Sequence, residues 1–336
     1  MPKIILTRDT PFVIVLNAAS GSADAGQEQA RITDTLAAAQ QKFEVLAVTD
    51  PQDLPKVAKA AARKAQRTAG AIIAAGGDGT INAVAQAALP TGRPFGIVPQ
   101  GTFNYSSRAH GIPLDTVKAT QALLNARLKP IQVGMVNERV FLVNASIGLY
   151  PQLLQDREAF KKQFGRYRLV AMWSGLVTLA HGHRQLVLEI EHDERREIIV
   201  TPTLFVGNNP LQLEQVGLPE VRAVEQQRLA AVIIKPVGTA ALLWLAVRGA
   251  LGQLGDAGNV RDFAFTRMTV RPVKGRLGGS GGRSWLRSRT ETIKVATDGE
   301  IWRASLPIEF SVAAQPLLLM TPDTPVANGS RVTESP

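Results

Sequence analysis

Residues 71–86 read AIIAAGGDGTINAVAQ. The first five are small and apolar with no polar alternation, which suits a strand buried on both faces. Gly76-Gly77-Asp78-Gly79 then makes a turn, and INAVAQAAL from Ile81 is helix-forming. Strand, glycine turn and helix are the repeating unit of an α/β sheet. Glycines tolerate positive φ and let a ligand approach the main chain closely. Bare N–H groups at a helix start favour an anion, and Thr80 can cap the helix or offer its hydroxyl. Taken alone, the stretch is equally a tight strand-to-helix turn with Asp78 as an N-terminal helix charge. No GxxxxGK[ST] occurs, so it is not a P-loop. It also falls short of GxGxxG, because Asn82 stands where the last glycine belongs.

The flanking sequence repeats the unit. PFVIVLN (11–17), FEVLAV (43–48) and FGIVP (95–99) are further apolar runs, with helical stretches at 24–41 and 53–70 between them. Such runs predict a parallel sheet covered on both faces, with ligands beyond the carboxyl ends of its strands. Asn17, Thr49, Gly76 and Gly101 fall at those ends. The loops Asn17-Ala18-Ala19-Ser20-Gly21 and PQGTFN (99–104) join the glycine turn there. Three small, polar, glycine-bearing loops at one sheet edge suit a polyphosphate.

From about residue 131 the pattern becomes antiparallel. IQVGMVNERVFLVN reads as a hairpin turning at Asn137-Glu138, and the stretch from Gln185 to Asn209 as another turning near His192-Asp193. LAAVIIKP, FAFTRMTVRP and ETIKVAT follow as strands, with helical insertions at Gln152 to His181 and Thr239 to Leu254. The expected fold class is α/β: an N-terminal parallel-sheet nucleotide-binding domain over 1–130, then an antiparallel β-sandwich domain over 131–313. The Pro-, Thr- and Ser-rich tail, 314–336, is expected to be disordered.

Composition narrows the function. A chain of 336 residues suits two domains. A net charge of +10 and a pI of about 10.1 point to an anionic partner. Aromatics at 5% leave few stacking platforms, so nucleic acid is not expected. With no cysteine there are no disulfides, thiolate zinc sites or cysteine nucleophiles. The N-terminus has no signal-peptide pattern. Ala240–Leu254 is too short to span a bilayer and carries Arg248, so contact with a membrane is expected from the surface. Gly278–Gly282 matches GxSxG, but no apolar strand feeds it and no helix follows. His181 and His183 lack acidic partners at metal-binding spacing.

Six motifs stand in order: NAASG (17–21), GGDGTIN (76–82), PQGTFNYSSRAHGIP (99–113), FLVNASIGLY (141–150), FVGNN (205–209) and TDGE (297–300). Together they resemble the diacylglycerol kinase catalytic-domain family, which includes bacterial lipid kinases and sphingosine kinases. The resemblance implies an ATP- and Mg2+-dependent kinase for the hydroxyl of a neutral lipid, diacylglycerol-like first and sphingoid- or ceramide-like second, with substrates in an interdomain cleft. By resemblance, Asn17, Thr49, Gly76, Gly77, Asp78, Gly79, Thr80, Asn82, Gly101, Thr102 and Asn104 bind ATP, and Asp78 helps to hold the phosphate and Mg2+. Asp298 matches the family aspartate proposed as the base; by itself TDGE also reads as a plain hairpin turn.

Two departures accompany the resemblance. Tyr105 stands where the family commonly has an aspartate. Val224-Glu225-Gln226-Gln227-Arg228 replaces an acidic loop that binds a structural magnesium in bacterial members, so that second metal is not expected. Two basic stretches suit an anionic membrane surface. One holds Arg157, Lys161, Lys162, Arg166 and Arg168 before Trp173. The other holds Arg271, Lys274, Arg276, Arg283, Arg287 and Arg289 around Trp285. The expected setting is cytoplasmic and peripheral at the inner membrane face. The alternatives are an NAD-kinase-like soluble kinase and a lipid-binding relative without turnover. The sequence does not give an oligomeric state.

Overall fold

The computed structural model describes residues 6–18, 25–101, 103–148, 185–215, 226–238, 258–273 and 292–323, with isolated residues between 217 and 253. The chain forms two compact units, residues 1–132 with 314–336, and residues 133–313.

The first unit is built on a sheet ordered β2 (Phe43–Val48), β1 (Phe12–Asn17), β3 (Ala71–Gly76), β4 (Phe95–Pro99), β18 (Leu317–Thr321) and β5 (Arg127–Ile131). β1 to β4 are parallel, as their unbroken apolar runs predict, and β3 is buried at every position. Helices α1 (Ala25–Ala38), α2 (Leu54–Arg67), α3 (Asp78–Ala88) and α5 (Thr116–Leu124) flank it; the short α4 (Tyr105–Ala109) follows the loop after β4. α2 turns Ala58, Ala61, Ala62 and Ala65 inward at helical spacing. α1 packs with α5 and α2 with α3. The chain leaves β1 toward β2 and then crosses to β3 on the other side, so the switch point of the sheet lies between β1 and β3.

Two expectations are corrected here. The tail 314–336 is not disordered throughout: Leu317–Thr321 is a strand between β4 and β5, with Leu317, Leu319 and Met320 buried. The helix after the glycine turn begins at Asp78 instead of Ile81, with Gly77 as its N-cap. Asp78 therefore sits in the first helical turn.

The second unit holds two antiparallel sheets. One is ordered β10 (Arg195–Thr201), β9 (Leu186–His192), β14 (Arg267–Pro272), β17 (Ile308–Val312), β6 (Gly134–Val136) and β7 (Arg139–Phe141). The other is ordered β13 (Val260–Phe265), β12 (Leu229–Ile234), β11 (Thr203–Gly207), β8 (Asn144–Gly148), β15 (Thr292–Thr297) and β16 (Glu300–Ser305). Alternate residues of both sheets form one core, with Leu188, Ile190, Met268 and Phe310 against Ala145, Ile147, Val206, Ile233 and Val295. The first hairpin turns at Asn137-Glu138. The second turns at Asp193-Glu194, one residue later than expected, with both residues at positive φ. The short helix α6 (Pro210–Gln215) caps β11 through Leu213. The expected insertion 152–181 lies outside the described residues. Among the described residues no helix is long and apolar enough to cross a membrane.

Candidate functional site

The switch point of the first sheet gathers the glycine loops. Asn17, the last residue of β1, donates Nδ2 to Thr80 Oγ1 at 3.0 Å. A Cβ on Gly76 would lie 2.7 Å from that threonine side chain, so the strand can pass under α3 only as glycine. The Gln100 N–H donates to Gly76 O at 2.9 Å. A Cβ on Gly101 would lie 2.9 Å from Gly77 Cα, so the two loops touch backbone to backbone.

Asn104 ties this arrangement together. It sits in the left-handed region at φ 49°, which asparagine tolerates better than most residues. Its side chain closes on Gly101, donating Nδ2 to the carbonyl at 2.7 Å and accepting the N–H at 3.1 Å. Its own N–H donates to Asp78 Oδ2 at 3.0 Å. Burial raises the Asp78 carboxyl above its ordinary range, and the Asn104 and Tyr105 N–H groups oppose that rise. Asp78 Oδ1 is buried with no hydrogen-bond partner.

An unpartnered carboxylate oxygen beside main-chain glycine loops fits a cation shared with a phosphate. Mg2+ is commonly held by one or two carboxylates plus substrate phosphates. Among the described residues no group of three acidic, histidine or cysteine side chains gathers as a self-sufficient metal site. The residues thus fit a magnesium ion carried by a phosphate ligand, and Asp78 is the carboxylate that would hold it.

Asn17, Gly76, Gly77, Asp78, Thr80, Gly101 and Asn104 come together in this cluster. Gly79 and Asn82 lie on the first turns of α3, while Thr49 is exposed at the end of β2. Ser20, Gly21 and Thr102 lie outside the described residues, as do Glu225, both histidines of HGH, and the glycine run at 278–282. Tyr105 opens α4 and stacks on Phe103 with ring centroids 6.0 Å apart. All of the first basic stretch, and the second beyond Arg271, lie outside the described residues. Arg271 itself faces Glu191 at 3.3 Å and Glu189 at 3.9 Å.

Gly101→Val should separate the two glycine loops. Nucleotide affinity is expected to fall by about 10- to 100-fold, since a misplacement of about 1 Å is felt strongly in a preorganised site. Titration of a fluorescent ATP analogue checks this, and unchanged affinity would contradict it.

A second cluster lies within the second unit. Asp298 and Gly299 form the two-residue turn between β15 and β16, at φ 48° and 89°. The Asp298 carboxylate reaches back to the segment before β8. Oδ2 accepts the Leu142 N–H at 2.7 Å, and Oδ1 accepts those of Val143 and Asn144 at 2.9 Å each. The Asp298 N–H returns to Asn144 O at 2.9 Å. Asn208 donates its N–H to Val143 O at 2.8 Å and its Nδ2 to Leu142 O at 3.1 Å. Asn144 Nδ2 donates to Gln212 Oε1 at 3.0 Å, and the Gln212 N–H donates to Asn209 Oδ1 at 3.1 Å.

FLVN, FVGNN and TDGE are therefore one hydrogen-bonded cluster. The motifs were visible in the sequence, but no role attached to Leu142–Asn144, Asn208, Asn209 or Gln212. Main-chain donors carry no residue signature, so nothing local marks where a carboxylate will land.

A doubly wound sheet with touching glycine loops at its switch point, followed by a β-sandwich, defines an α/β protein with a second, antiparallel unit. Residues 11–136 match the diacylglycerol kinase catalytic domain. A diacylglycerol kinase of Bacillus subtilis is 36% identical over 158 residues, which are 44% of this chain and 51% of that protein. A diacylglycerol kinase of Staphylococcus saprophyticus is 35% identical over 95 residues, 28% of this chain and 31% of that protein. The chain thus spans about half or less of the length of these curated relatives. A solved diacylglycerol kinase structure from Bacillus anthracis superposes with a TM-score of 0.64 at 19% identity, covering 94% of this chain and 97% of that one. A second Bacillus anthracis structure gives 0.68 at 20% identity, covering 94% and 98%. At such identity the likeness shows the two-unit fold.

Proposed function

We propose that the protein is an ATP-dependent lipid kinase that phosphorylates the hydroxyl of a neutral lipid, diacylglycerol-like first and sphingoid- or ceramide-like second. The observation that carries this reading is the contact of two glycine loops around the buried, unpartnered Oδ1 of Asp78, inside a diacylglycerol kinase catalytic domain. Phosphoryl transfer rests on positioning and charge stabilisation more than on covalent chemistry. On this reading the N-terminus of α3 and the two loops receive the phosphates of ATP through main-chain N–H groups. Asp78 would hold Mg2+ against those phosphates, and the ion would supply neutralisation of their charge. Asn104 keeps the carboxylate and the second loop in register.

The same reading gives the acceptor lipid to the second unit, with Asp298 and its cluster required for turnover. The names of the curated relatives support a diacylglycerol-like acceptor. The net charge of +10 suits peripheral attachment to an anionic cytoplasmic membrane face.

The test is incubation of the purified protein with γ-labelled ATP and anionic vesicles carrying diacylglycerol, ceramide or sphingosine. Label is expected in the diacylglycerol fraction first. No labelled lipid from any vesicle would sink the kinase reading. Vesicle binding is expected to weaken as salt is raised, and binding indifferent to anionic lipid would remove the membrane-surface part.

A further inference from the structure

We infer that the outward face of α2 is an electrostatic docking surface for an anionic phospholipid bilayer. This rests on the lipid kinase reading and names a part of the chain that meets the membrane. α2 runs LPKVAKAAARKAQR, with five basic residues and no Asp or Glu in 14 positions. Ala58, Ala61, Ala62 and Ala65 are buried where the helix packs on β1, β3 and α3. Lys56, Lys59, Arg63 and Arg67 are exposed. At about 100° per residue these four lie within an arc of about 80°, on the side away from the buried alanines, along about 16 Å of helix. The basic stripe therefore points away from the core. Lys64, at its margin, pairs with Glu44. None of the four exposed cations pairs with a described residue.

A helix that meets only water commonly mixes its charges, with Glu and Lys a turn apart. Here Lys59, Arg63 and Arg67 follow one another at i, i+4, a spacing at which like charges weaken a helix. The other face of the same sheet gives the contrast. A Cβ on Gly76 would meet Thr80 of α3, and one on Gly96 would meet Leu123 of α5. Gly96 pairs with Ile73, three residues before Gly76 on β3, so α3 and α5 cover opposite faces. α1 packs with α5 on that second face. There Glu28 and Asp34 offset Arg31 and Lys118. The first unit is thus polarised, cationic on one face and balanced on the other. A flat, extended array of negative charge complements the stripe. Pro55 and Ala60, the other exposed residues beside the cations, are too short to hold it off a plane. Among the described residues the exposed large apolar side chains are Phe103, Leu114, Ile198 and Trp244, none of them on α2. The helix also has no aromatic ring on which a base could stack. Contact is therefore with lipid phosphates, without insertion, and its attraction fades within a Debye length.

The experiment sets the double variant Lys59→Gln with Arg63→Gln against Arg31→Gln with Lys118→Gln on the balanced face. Both doubles lose the same net charge, and glutamine keeps the helix propensity of lysine and arginine. Adsorption of the full chain is read by sedimentation with phosphatidylcholine vesicles that contain or lack phosphatidylglycerol, without ATP or diacylglycerol. The α2 double should bind the anionic vesicles about 10- to 30-fold more weakly than the wild type, at about 5-fold per cation. The control double should lose less than about 3-fold, since its cations stand beyond a Debye length from the surface. Equal losses in the two doubles would overturn the proposal, because net charge alone would then carry binding. So would a wild type that ignores the anionic vesicles but binds duplex RNA through α2. Should either double fail to fold, Arg63→Gln and Lys118→Gln decide by the same comparison. Turnover of a soluble short-chain diacylglycerol is read separately and should be equal in the wild type and both doubles. If no lipid is phosphorylated while the α2 double still loses vesicle binding, the kinase reading falls and the docking surface stands. If the wild type is active and the α2 double adsorbs as tightly as it does, the docking surface falls alone.

Discussion

Asp78→Asn is expected to lower kcat/KM by about 100- to 1,000-fold, the scale of losing one preorganised electrostatic partner, while leaving the fold at least as stable. The two effects share one cause. Burial raises the Asp78 carboxyl, so the folded chain holds that proton to higher pH than the unfolded chain does. Across that window the folded state binds more protons, and stability falls as pH rises. Above it, the charged carboxylate remains a burden on the fold. Asparagine removes the charge but keeps an acceptor for the Asn104 N–H. The variant should therefore gain in urea midpoint at about pH 7 and lose most of that gain at about pH 3.5, where an ordinary aspartate is already mostly protonated. Full activity in the variant, or a lower urea midpoint at neutral pH, would remove Asp78 from the role given to it.

A chain ending at residue 313 is expected not to fold cooperatively, whereas one ending at residue 323 should match the full chain. β18 lies between β4 and β5, and without it both strands lose their partner on that side. Leu317, Leu319 and Met320 are 1%, 0% and 1% exposed. At about 1.5–3 kcal/mol each, their burial amounts to about 5–9 kcal/mol, comparable with the whole stability of a typical domain, about 5–15 kcal/mol. Gln315 adds a hydrogen bond from Nε2 to Leu89 O at 2.6 Å. Thermal melts by circular dichroism and limited proteolysis check this. A cooperative melt at the full-chain temperature from the chain ending at 313 would refute it. Leu319→Asp, which buries an unpaired charge, should behave like that truncation.

Much of the first unit is legible in the sequence. Unbroken apolar runs such as Ala71–Ala75 and Phe12–Leu16 announce a two-sided parallel sheet, and the glycines of 76–79 and 101 announce close backbone approach. Asn137-Glu138 marks its own hairpin, and Asp298-Gly299 its own two-residue turn. All of these follow from period, backbone freedom and turn chemistry, which act within a few residues of the chain.

The tertiary structure decided the rest. LLLMT at 317–321 reads as a fragment in a polar tail, and becomes a strand only because an apolar slot between β4 and β5 stands open to it. Asp298 announces a turn but not that its carboxylate ends on donors 154 to 156 residues earlier. Asn104 announces a loop but not its N–H bond to Asp78, 26 residues away. The sequence by itself determined the kinds of element and the places where the main chain must come close. Which strand pairs with which, and which main-chain N–H satisfies which carboxylate, depend on chain closures over many residues. Backbone donors are identical in every non-proline residue, so only their placement in the fold can select a partner.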